Sequence, residues 1–216
     1  MKEILILIQK DFLLEWRSGQ AFSSGLLYVF STAYVVFLSF ISIAPSVWNP
    51  LFWIIILFVS INSLANSFLH EAGNSRLYYY TITDPLKIFT AKVVYNTCIL
   101  MLLSFLSFLL FSFITGVNVR NFGQFIGVLF LASIGFSITL TFTSTIAALS
   151  SKRYVLMAII SFPLLIPTLL VVLKLSAIAL GLITDTAKGS DIIVLVGLDL
   201  LLIGLSIILF PFLWKD

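Results

Sequence analysis

Apolar residues run through this chain in long blocks rather than in the alternation of a half-buried strand. A bilayer core about 30 Å thick takes roughly 20 apolar residues at a rise of about 1.5 Å each. Six blocks reach that length: Ala21–Ile43, Pro50–Phe68, Val93–Thr115, Gly123–Leu149, Tyr154–Leu175 and Ile192–Trp214. Continuous apolarity predicts helices and argues against a closed barrel, whose strands alternate. The predicted fold is an all-α polytopic membrane protein, a single domain over residues 1–216 with six transmembrane helices.

Two stretches break the pattern. Ile4–Arg17 is too charged to span; Leu5, Ile8, Phe12 and Trp16 recur at spacings of three and four, with Asp11 and Glu15 on another face. This predicts an interfacial helix within residues 1–20, lying along the inner leaflet either as a plain anchor or as a docking element. The second is FLHEAGNSRLYYYTITDPLKIFTAK, Phe68–Lys92, which holds the one histidine, three adjacent tyrosines and five of the chain's charged residues. Residues 69–92 are expected to be a loop, broken at Asp84-Pro85 because a residue before proline avoids the helical region.

Composition supports lipid as the solvent: 61% of residues are hydrophobic, 10% are charged and the mean hydropathy is +1.17. The charges orient the spans. Lys2, Lys10, Arg17, Arg76, Lys87, Lys92, Lys152, Arg153 and Lys215 fall on one side, and Arg120, Lys174 and Lys188 on the other. Lysine and arginine gather on the cytoplasmic side, which predicts cytoplasmic N- and C-termini and makes 69–92 a cytoplasmic loop. Trp48 and Trp53 are expected at the outer interface; Trp16, Tyr154 and Trp214 are expected at the inner one. Ile4–Ile8 is too short for the apolar core of a cleavable signal.

Signatures of hydrolytic or nucleotide chemistry are missing: the chain has no HExxH, GxSxG or Walker A motif. One His (His70) and one Cys (Cys98) do not furnish a multidentate metal site, so no metal or resident cofactor is expected, and any ATPase must be a separate chain. The polar residues inside spans are the remaining candidates. Asn62 and Asn66 share a face of span two, while Ser133, Ser137, Thr141 and Thr145 make a seam on span four, beyond a GxxxG pair at Gly123 and Gly127. Such seams mark helix packing or a substrate path. Pro163 and Pro167 lie on one face of span five and predict a kink. Asp199, deep in span six, must face protein or water, with a structural hydrogen bond or a partner contact as the expected role.

Several segments together resemble the CcmB permease family of cytochrome c maturation, in the ABC-2 group. They are KDFLLEWRSGQ at Lys10–Gln20, Ala44-Pro45, the Phe68–Lys92 loop, GVNV at Gly116–Val119, and KRYVLMAIISFPLLIPTLL at Lys152–Leu170. Tyr78 and Tyr79 depart from the family's acidic residue and leucine. The resemblance implies a permease working with a CcmA-like ATPase that uses ATP and magnesium. It also implies a CcmC-like haem-handling protein and a small CcmD-like subunit, with haem as possible cargo for a CcmE-like chaperone. It further implies that the loop carries a short coupling helix, with Glu71, Gly73, Leu77, Tyr78, Tyr79, Tyr80, Pro85 and Lys92 as its ATPase-coupling residues. The output is either haem export or release of the loaded chaperone. An ABC-2 permease for a glycan, lipid or drug, and a non-transporting membrane scaffold, are the alternatives.

Overall fold

The computed structural model describes residues 2–40, 43–64, 84–148, 153–184 and 188–215. They form seven helices and no strand: α1 (Lys2–Ser18), α2 (Gln20–Ser39), α3 (Pro45–Leu64), α4 (Pro85–Thr115), α5 (Phe122–Ala148), α6 (Arg153–Leu180) and α7 (Lys188–Lys215). The last six are long and apolar enough to cross a membrane, and they match the six expected spans.

Several boundaries differ from the sequence expectation, two of them at helix starts on prolines. Span two starts earlier, at Pro45, because proline at a first helical position loses only an N–H that would be unpaired there. Pro85 opens α4 in the same way, with Asp84 in an extended conformation before it (φ −55°, ψ 134°). The expected break at Asp84 is present. Residues 85–92, however, are helical rather than loop. At 31 residues α4 is about 46 Å long, well beyond a hydrocarbon core of about 30 Å.

α5 is the central helix, with buried side chains along most of its length from Phe125 to Ala147. α4, α6, α7 and α3 pack around it, and α2 lies at the periphery against α3 and α4. Peripheral helices turn apolar side chains outward, among them Leu27, Phe113, Ile193 and Ile208. In lipid that exposure carries no penalty, so polar and small residues are what distinguish the inside.

At the end of the bundle away from α1, Trp48, Phe52, Phe108, Phe111 and Phe125 form one aromatic cluster with ring centroids 4.9–6.4 Å apart. Trp48 and Trp53 are both fully buried, which corrects their expected place in an interfacial belt. Their indole N–H groups find partners inside the protein: Trp48 Nε1 donates to Thr115 Oγ1 at 2.9 Å, and Trp53 Nε1 to Ser176 Oγ at 2.8 Å. Ser176 Oγ lies 2.7 Å from both Asn49 Oδ1 and Val172 O, one of which takes its proton, and Asn49 Nδ2 donates to Leu173 O at 2.9 Å. These bonds join α3 to α4 and α6.

Candidate functional site

The described part of the expected coupling loop is its root. Glu71, Gly73, Leu77, Tyr78, Tyr79 and Tyr80, with the proposed coupling helix and Asn66, lie outside the described residues. Pro85 and Lys92 lie in α4, and α1 packs along this same stretch.

Polar and aromatic contacts join the two helices. Lys87 Nζ donates to Glu3 Oε2 at 2.9 Å and lies 3.4 Å from Asp84 Oδ2. Lys92 Nζ is 3.4 Å from Asp11 Oδ2, whose other oxygen is 3.2 Å from Lys10 Nζ. Tyr95 Oη donates to Glu15 Oε2 at 3.3 Å, and the Tyr95 ring meets Phe12 edge-on at 5.2 Å. Glu15 also accepts the Phe22 backbone N–H at 2.9 Å, so its carboxylate caps the start of α2. The Glu3–Lys87 pair is exposed and contributes little. Asp11 and Lys92 are different, with side chains only 5% and 7% exposed.

The amphipathicity of α1 is therefore inverted relative to a helix on a water-soluble protein. Asp11 and Glu15 face α4, while Leu5, Leu13, Leu14 and Trp16 are exposed, Trp16 at 90%. Leu7 completes the inward side against Ile88, Phe89, Phe142 and Phe210. Lys92, expected among the docking residues, is thus held by Asp11 inside the chain. Gly19 links α1 to α2 in the left-handed region (φ 61°), which glycine reaches without strain.

The span-four seam is a packing surface over the stretch that reaches α4. Ser137 Oγ donates to Val93 O at 3.0 Å, and Asn96 Nδ2 donates to Thr141 Oγ1 at 2.8 Å, both across to α4. Ser133 and Thr145 turn back onto Leu129 O and Thr141 O of their own helix. Gly123 and Gly127 lie outside this packing: a Cβ at either would meet nothing within 4 Å beyond the side chain of Asn121. Asn62 is exposed on α3 while its neighbour Ser63 is buried, so the amide points away from the bundle. Pro163 and Pro167 share the exposed side of α6, and the helix continues through both.

Asp199 sits near the middle of the bundle, 4% exposed, and its two oxygens have no hydrogen-bond partner among the described residues. Of the two roles expected for it, a structural hydrogen bond or a contact with a partner subunit, the first is not seen among the described residues. The carboxyl is instead pressed against the backbone of α5: a Cβ built on Gly135 would overlap Asp199 Oδ1 and lie 3.2 Å from Thr168 Cγ2. Thr168 Oγ1, from α6, is likewise buried without a partner among the described residues. Nothing in the sequence joined Gly135, Thr168 and Asp199, because they lie on three separate helices. An open apolar groove of about 670 Å³ lies at the end away from α1, lined by Leu109, Phe113, Val119 and Phe122, with Ser112 and Asn118 as its polar members.

Six apolar helices packed through a polar seam, with an inverted amphipathic helix clasped to one of them, define a polytopic membrane protein. The family model described as CcmB protein matches residues 2–213, and the chain belongs to that family. It is a membrane component of the cytochrome c maturation ABC system and a multi-pass protein of the inner membrane. No curated protein and no solved structure matches the chain.

Proposed function

We propose that this subunit couples ATP hydrolysis in a separate cytoplasmic ATPase to release of the haem-loaded periplasmic chaperone. Both termini and residues 65–83 face the cytoplasm in this reading. Leu77, Tyr78, Tyr79 and Tyr80 anchor a CcmA-like ATPase, and Glu71, Gly73 and Pro85 shape the segment between α3 and α4. CcmC-like and CcmD-like proteins complete the assembly, and haem passes to a CcmE-like chaperone without a resident cofactor in this chain. ATP and magnesium act in the partner.

The observation that carries the reading is the clasp at the segment's root. α4 is too long for the bilayer alone, and α1 braces its first turns through buried charge. Release is favoured over passage of haem because the seam hydroxyls that reach α4 are used in helix packing. Tyrosine is among the residue types that supply most of the energy at protein interfaces when they are centrally buried. Replacing Leu77, Tyr79 and Tyr80 together by alanine should therefore abolish co-purification of the ATPase from mild detergent, with the permease still in the membrane. Unchanged ATPase capture would refute the docking role.

A further inference from the structure

We propose that Asp11 and Lys92 are positioning residues, whose buried ion pair pins α1 to the base of α4 so that the two helices move as one body. The proposal rests on the ATPase-docking reading above: a load entering through residues 65–83 meets α4 at Pro85, seven residues before the pin. An apolar contact alone is non-directional and lets helices slide against each other. Leu7 on its cluster supplies only that kind of contact. A water-excluded ion pair favours one register, because displacement parts the buried Lys92 ammonium from Asp11, which keeps Lys10 on its other oxygen.

The neighbouring contacts extend the pin to a third helix. Glu15 holds Tyr95 of α4 and the Phe22 N–H of α2 at the same time. A displacement of α4 at Lys92 is thereby passed to α1 at Asp11 and to the start of α2 at Phe22. On its other side α1 presents Leu5, Leu13, Leu14 and Trp16, which slide in lipid without a directional bond. The helix is thus tied on its protein side and free on its lipid side, as a lever requires.

The test uses the complex purified in mild detergent, with hydrogen exchange of the α1 amides measured on wild type, Lys92→Arg and the paired apolar variant Asp11→Leu/Lys92→Met. The paired variant removes both members of the buried pair, and Lys10, the other neighbour of Asp11, is 29% exposed, so the pin goes without the penalty of a lone, fully buried ion. Expected are at least about tenfold faster exchange over residues 4–16, retained ATPase capture and loss of holo-cytochrome c, with Lys92→Arg close to wild type. Unchanged exchange in the paired variant, or full holo-cytochrome c despite faster exchange, would overturn the pin. If the wild-type permease carries no ATPase, the docking reading fails instead, and the exchange comparison on the permease alone still decides whether the pin exists.

Discussion

Placing an alanine at Gly135 tests the packing of Asp199 directly. The added methyl would overlap Asp199 Oδ1 and stand 3.2 Å from Thr168 Cγ2, where ordinary contact begins near 3.4 Å. Overpacking a filled interior costs roughly 1–3 kcal/mol. Alanine returns about 0.5–1 kcal/mol of helix preference over glycine, so a net loss of about 1–2 kcal/mol is expected for Gly135→Ala. In an Asp199→Ala background the main obstacle is gone and only the Thr168 methyl at 3.2 Å remains, so the same substitution should become neutral or stabilising by up to about 1 kcal/mol. The coupling between the two sites is then on the order of 1–3 kcal/mol, within the range of contacting residues. The assay is equilibrium unfolding of the detergent-solubilised permease for the wild type, both single variants and the double variant. An identical effect of Gly135→Ala in the two backgrounds would show that Asp199 does not rest on that backbone.

Ser176→Ala removes the acceptor of the Trp53 indole and a partner of Asn49. A loss of about 1–2 kcal/mol in the same unfolding assay is expected, shrinking when Trp53 is already phenylalanine. Gly19→Ala forces a side chain into left-handed backbone with its Cβ 3.3 Å from Ser23 Oγ. It should cost about 1–2 kcal/mol, while Gly19→Asn, which tolerates that conformation, should cost measurably less.

Span number and the polar interruptions were legible because lipid demands a fixed length of apolar helix, and residues that violate it stand out. Which side of each helix faces protein was not legible from apolarity. Leu5 and Trp16, expected along the inner leaflet, are exposed, but nothing in the spacing showed that Phe12 of the same ladder meets Tyr95 or that Asp11 and Glu15 face α4. Lipid accepts the apolar face, and the carboxylates seek Lys92, Tyr95 and a helix start. Trp48 and Trp53 misled for a related reason. A tryptophan near a span end suits a headgroup belt unless its N–H has an internal partner, and those partners, Thr115 and Ser176, lie 67 and 123 residues away. Ser137 and Thr141 were readable as a seam by their helical spacing, whereas their contacts at Val93 and Asn96 depended on how α4 docks. Asp199 was visible as an intramembrane acid, but Gly135 carried no sequence signal of its own.

Deletion of the gene, followed by haem staining of the host's membrane and periplasmic proteins, bears most directly on the role in cytochrome c maturation. Covalently haem-bearing c-type cytochromes should disappear while b-type cytochromes and haem synthesis persist, and the intact gene supplied in trans should restore the bands. Normal holo-cytochrome c in the deletion strain would contradict the account.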